Sequence, residues 1–137
     1  MAKDLYHDNV CDALQKEGWL ITQNPYKMKI DEVTYEIDLG AEPIVAAEKE
    51  GNKIAVEIKS FAGASTISEF HRAVGQFVDY NIALQFVEPD RQLYLAVPVV
   101  TYNTFFQKNV IKASLDFINC KLIVYNPENN TIVSWIK

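Results

Sequence analysis

Cysteine is scarce in this sequence, with only Cys11 and Cys120 among 137 residues. The two show no ligand spacing and sit inside amphipathic segments, so they read as small buried hydrophobes of a reducing compartment and exclude a disulfide frame or zinc site. Glycine and proline number five each, which excludes collagen-like and low-complexity chains. No apolar run approaches the roughly 18 residues of a membrane span. The opening Met1-Ala2-Lys3-Asp4-Leu5-Tyr6-His7-Asp8 is too polar for a signal peptide, so the expected location is cytoplasmic, with no membrane partner. Positive charge is short as well. Thirteen Lys and Arg stand against 18 Asp and Glu, a formal charge of -5, which excludes a protein that coats nucleic acid through bulk charge. Any contact with DNA must be local.

What is present is core-forming material. The chain is 49% hydrophobic and 23% charged, with no repeat or linker, as expected for one globular domain over 1–137. Asp4 to Glu17 carries Tyr6, Val10, Ala13 and Leu14 at helical spacing and is followed by Gly18, a helix with a left-handed cap. Trp19 to Thr22 predicts a short strand, closed by Asn24-Pro25, and Met28 to Leu39 predicts another that ends near Asp38. Gly40 and Pro43 interrupt the chain before Ile44 to Ala47 resumes as strand. After the Glu50-Gly51-Asn52 turn, Lys53 to Lys59 alternates: Ile54, Val56 and Ile58 make a packing face, while Ala55, Glu57 and Lys59 make a charged one. Helices are expected from Ser65 to Phe86 and from Tyr102 to Phe117, with a buried strand, Gln92 to Val97, between them. Leu122 to Tyr125 and Thr131 to Ile136 form a C-terminal hairpin about Asn126-Pro127. The order αβββαβαββ predicts an α/β fold, a mixed sheet with helices on both faces.

The chemistry gathers around Asp38 and Glu57-Ile58-Lys59. If their strands pair beside the Gly40/Pro43 irregularity, the two carboxylates converge. Together with the Ile58 backbone carbonyl they form a hard oxygen site suited to Mg²⁺ or Mn²⁺. Lys59 shares a strand face with Glu57, where its ammonium is placed to position an attacking water and offset phosphoryl charge. Metal-assisted phosphodiester hydrolysis needs such a set.

These residues resemble the signature of the PD-(D/E)xK nuclease superfamily, with Ile37-Asp38 standing where the family has Pro-Asp. The resemblance implies a restriction-endonuclease-like αβββαβ core, extended here by the C-terminal hairpin. Over nearly the whole length the chain looks closer still to the XisH-type fdxN element excision controlling factors of cyanobacteria. The matching stretches are His7-Asp8 through Ala13-Leu14 to Gly18-Trp19, Tyr35-Glu36-Ile37-Asp38-Leu39, Val56-Glu57-Ile58-Lys59-Ser60-Phe61, Gly75-Gln76-Phe77 with Tyr80, and Leu95-Ala96-Val97-Pro98. That likeness implies control of programmed DNA excision during heterocyst differentiation, with DNA, a site-specific recombinase and a small partner protein as partners. Resolvase-like relatives often carry a metal-binding Glu in the first helix. Counting back from Gly18 puts His7 there, a residue able to bind a metal or hold a phosphate.

Each candidate has a plainer counterpart. Glu57 and Lys59 also fit an exposed charge pair worth about 0.2–1 kcal/mol. Asp38 also fits a strand-ending turn residue. Gln76 fits a solvated or core-satisfied amide as well as a backbone or phosphate contact at the site, and Ser60, beside Lys59, is a minor phosphate donor or an ordinary strand-end serine. His7 and His71 read first as surface helix residues. Three functions follow: a Mg²⁺-dependent DNA endonuclease, a homodimer if it is to cut both strands; a non-catalytic nuclease-fold module that directs a recombinase; or an acidic protein-interaction domain that never meets DNA.

Overall fold

A computed structural model describes residues 5–30, 33–35 and 44–137. Helix α1 (His7–Lys16) opens with Asp8 in its first turn and closes with Lys16 in its last, both complementary to the helix dipole. It ends where Gly18 takes φ 93. The Gly18 N–H then reaches the Gln15 carbonyl and the Trp19 N–H the Leu14 carbonyl, each at 3.0 Å, which satisfies two of the last carbonyls of the helix.

Strand β1 (Leu20–Gln23) pairs antiparallel with β4 (Ile44–Lys49), and β4 pairs antiparallel with β5 (Asn52–Ile58). Helix α2 (Thr66–Val87), N-capped by the Ser65 side chain, carries the chain over the sheet to β6 (Arg91–Pro98), which runs parallel to β5. Helix α3 (Val99–Asn103), a 3₁₀ turn at Phe105–Gln107 and helix α4 (Asn109–Phe117) make a second crossover, to the parallel strand β7 (Leu122–Asn126). Strand β8 (Thr131–Ile136) returns antiparallel, so the sheet order is β1-β4-β5-β6-β7-β8.

Both crossovers cover one face. Phe70, Phe77 and Leu84 of α2, with Phe106, Ile111 and Leu115, bury Ala55, Leu93, Leu95, Val97 and Val124. On the other face Val10, Cys11 and Leu14 of α1 lie over Val45, Ile54, Val56, Ile58 and Ile123. The mixed sheet and the terminal hairpin match the expectation. Among the described residues no helix is long and apolar enough to cross a membrane.

Three expectations change. Met28 to Leu39 is not one strand: β2 (Met28–Ile30) and β3 (Val33–Tyr35) form a separate antiparallel pair. Their register runs from Met28 opposite Tyr35 to Ile30 opposite Val33. The helix expected over Tyr102 to Phe117 breaks into three pieces, with extended backbone at Lys108 (ψ 138). The break lets Phe106 pack edge-on against Phe61 and Phe70, at 5.4 and 5.7 Å between ring centroids. Finally, the charged face of β5 is not open to solvent, because α2 covers it.

Candidate functional site

The alternation of β5 points Ile54, Val56 and Ile58 towards α1, and Ala55, Glu57 and Lys59 towards α2. Glu57 is 1% exposed and Lys59 6%, so the plainer reading of an exposed surface pair is wrong. Buried charges need partners. Lys59 Nζ donates to Gln76 Oε1 at 2.7 Å and stands 4.0 Å from Glu57 Oε2. Gln76 is therefore a half-buried amide satisfied within the protein, and its oxygen anchors the lysine.

The main chain of Lys59 is fixed as firmly. Its N–H bonds to the Ala96 carbonyl at 3.1 Å, and its carbonyl accepts from Tyr125 Oη at 2.7 Å. The next turn is held by Phe61, whose φ of 54 bends the chain and whose buried ring meets Phe106. Further along, the Gly63 N–H bonds to Glu69 Oε2 at 2.8 Å, which ties this loop to the first turn of α2. Ser60 lies half-buried directly beyond Lys59.

Glu57 pairs in register with Ile44, the first residue of β4. Asp38, the other expected carboxylate, lies outside the described residues. His7 corrects an expectation: it is 1% exposed, with Nε2 2.9 Å from Asn24 Oδ1. The Tyr26 N–H, two residues beyond Asn24, bonds to the Ile44 carbonyl, which draws the His7 contact towards the Glu57 end of the sheet. His71, by contrast, is exposed, as expected.

Among the described residues no group of three or more His, Cys, Asp or Glu side chains is placed to hold a metal. The oxygen donors expected at this end are the Glu57 carboxylate and the Ile58 carbonyl. Cys120 adds an electrostatic report on Glu57, since its thiol is pushed well up, first by burial and then by the Glu57 carboxylate. The thiol therefore stays protonated and does not compete as a soft ligand.

Sequence reasoning missed two residues. The Tyr125 hydroxyl had a legible signal, a phenol inside the apolar run Leu122 to Tyr125 that needs a buried acceptor. Arg91 had none, standing at the mouth of β6 beside Asp90; it is 5% exposed and donates to the carbonyls of Ile54 and Ala47, at 3.0 and 3.4 Å.

Comparison with known proteins agrees along nearly the whole chain. The XisH family, described as "XisH protein", matches residues 1–133. The crystal structure of an XisH family protein from Nostoc punctiforme PCC 73102 is 44% identical with a TM-score of 0.90, over 98% of this chain and 100% of that one. That of an fdxN element excision controlling factor protein from Anabaena variabilis is 47% identical with a TM-score of 0.88, over 96% and 98%. Among curated proteins none matches. The chain belongs to the XisH family.

Proposed function

We propose that the chain acts in the control of DNA element excision, the role stated for its Anabaena relative, through a phosphodiester-directed site of the PD-(D/E)xK kind at the end of β5. One observation carries this reading: the Lys59 ammonium is held in the fold between the Gln76 amide and the Glu57 carboxylate. Leaving aside the β2–β3 pair, the run α1, β1, β4, β5, α2, β6 has the αβββαβ order of a restriction-endonuclease-like core.

Asp38, Glu57 and the Ile58 carbonyl would hold Mg²⁺ or Mn²⁺. The donor chemistry fits, being carboxylate and carbonyl oxygen without sulfur or imidazole. Asp38 precedes Ile44 by six residues, and Ile44 faces Glu57 across the strand pair. Such an ion, when bound, polarises a phosphodiester. The chain's own work is positional: Gln76 aims the Lys59 ammonium, Lys59 orients a water and offsets phosphoryl charge, and Ser60 donates to a phosphate oxygen. His7 supports this end of the sheet through Asn24. A net charge of -5 leaves DNA contact local, and a small partner protein, a recombinase or a second copy of the chain supplies the rest of the binding surface.

The test is Mn²⁺-dependent cleavage of branched, duplex and single-stranded DNA. Wild type should cut, and Asp38→Ala, Glu57→Ala and Lys59→Ala should each lose at least about 100-fold. Activity that survives all three substitutions rules the site out. The depth at which Glu57 and Lys59 are buried favours a second reading, in which the site is a closed scaffold of a non-catalytic module that binds DNA or a small partner protein to direct a recombinase. On that reading no substrate is cut, and partner capture survives Glu57→Ala.

A further inference from the structure

The opposite end of the sheet holds a concavity. A pocket of about 620 Å³ opens where β5, β6 and β7 begin, within the size range of small-ligand sites. Lys53, on its wall, stands six residues before Lys59 along β5, roughly 20 Å away at strand spacing. The pocket is therefore separate from the Glu57 site.

Its lining joins aromatic rings to cations: Trp19, Tyr94 and Trp135 with Lys49, Lys53 and Lys121. The indoles of Trp19 and Trp135 lie 5.6 Å apart at 32°, and Tyr94 meets Trp135 edge-on at 5.2 Å. Trp135 is fixed further by its Nε1 donation to Glu17 Oε1 at 3.1 Å, so these rings are rigid before any ligand arrives. Lys53 is paired with Asp90 at 3.6 Å. Lys49 and Lys121 have no carboxylate within ion-pair distance among the described residues. Tyr94 also lines this pocket, and its hydroxyl makes no hydrogen bond among the described residues. Burial raises its phenol above the usual value, so it remains a donor at neutral pH.

Ammonium groups with no carboxylate partner attract an anion, aromatic rings attract a flat π-system, and a hydroxyl with no protein partner takes an acceptor. We propose that this pocket binds a nucleoside phosphate, its base against the Trp19/Trp135 wall and its phosphate at Lys49 and Lys121. The source is a free nucleotide or the phosphorylated end of a DNA strand. This site stands whether or not the Glu57 site turns over.

The chain's two tryptophans both line the pocket, so intrinsic fluorescence reports on it directly. The probes are dAMP and a 5′-phosphorylated oligothymidylate, with adenosine and inorganic phosphate as controls. Saturable quenching by dAMP is expected, with both controls at least about tenfold weaker. Lys49→Ala/Lys121→Ala should weaken dAMP by at least about tenfold at an unchanged melting temperature. Should that variant fail to fold, wild type decides the matter: binding must weaken as NaCl rises from about 0.05 to about 0.5 M. A tighter oligonucleotide than dAMP assigns the site to a strand end; equal affinities assign it to free nucleotide. Glu57→Ala should bind dAMP as wild type does. Absent saturation with both probes, equal binding of adenosine or phosphate, an unaffected double variant, or lost binding in Glu57→Ala each overturns the proposal.

Discussion

Lys59 and Gln76 are joined across the sheet–helix interface by a 2.7 Å bond from a buried ammonium to a half-buried amide oxygen. The bond ties the last residue of the Glu57-Ile58-Lys59 run to the middle of α2. It turns a strand-end lysine, ordinarily the most mobile of side chains, into a fixed charge.

Gln76→Leu preserves the side-chain volume and removes the acceptor. The buried ammonium then loses a charge-assisted bond, at a cost of about 1–3 kcal/mol. A lower urea midpoint with an unchanged m-value is the expected result. A stability loss under about 0.5 kcal/mol would show the bond to be dispensable.

Arg91 should be less replaceable than any other cation described here. Its Nε and Nη2 grip Glu88 at 3.0 and 3.2 Å, Nη1 caps the Ile54 and Ala47 carbonyls, and the guanidinium lies 5.1 Å from the centre of the Tyr26 ring. Lysine lacks the planar fork that serves these acceptors together. Arg91→Lys is expected to cost about 2–3 kcal/mol by urea denaturation, nearly as much as Arg91→Met. Full rescue by lysine would mean that charge alone matters at this position.

The same cluster sets an acid limit on stability. The Glu88 carboxyl is held below its ordinary value, first by the Arg91 hydrogen bonds and then by the Tyr26 hydroxyl, against an opposing effect of burial. A depressed folded value means that the stabilisation is present above the unfolded carboxyl pKa of about 4.3 and is lost as pH falls through the folded one. Tyr26 sets the alkaline limit. Its phenol is pushed up to about 12 by burial and by Glu88, so its contribution is intact below about 10 and lost as pH rises through about 12. Melting temperature followed against pH should fall at both ends. Glu88→Gln should flatten the acid limb and, by removing one cause of the Tyr26 shift, soften the alkaline limb too, whereas Tyr26→Phe should flatten the alkaline limb and leave most of the acid limb, which rests first on Arg91.

How far the sequence foretold this structure follows from where each signal resides. Periodicity is local, so α1, α2 and the terminal hairpin were legible, as was the shared face of Ala55, Glu57 and Lys59. What covers that face is a tertiary fact. Nothing in Lys53 to Lys59 says that α2 will lie over Glu57, and its charges argued for solvent. His7 misled for the same reason, since a polar residue in the first turn of a helix is ordinarily wet and its partner Asn24 is 17 residues away. The break near Lys108 was hidden because the pull on Phe106 comes from Phe61 and Phe70, far along the chain.

Cys120 offers a way to read the Glu57 charge without any DNA. Its thiol is raised by burial and, after that, by the Glu57 carboxylate. Glu57→Gln removes the second influence and leaves the first, so the thiol should ionise at lower pH while remaining less acidic than a free cysteine. The measurement is the pH dependence of thiol modification in a Cys11→Ala background, where Cys120 alone reports. The midpoint is the useful quantity, because the rate also follows local opening of the fold. A downward shift in Glu57→Gln places a charged carboxylate beside the thiol. An unmoved midpoint would mean that Glu57 is protonated or turned away, and a neutral Glu57 would be a poor ligand for any divalent cation.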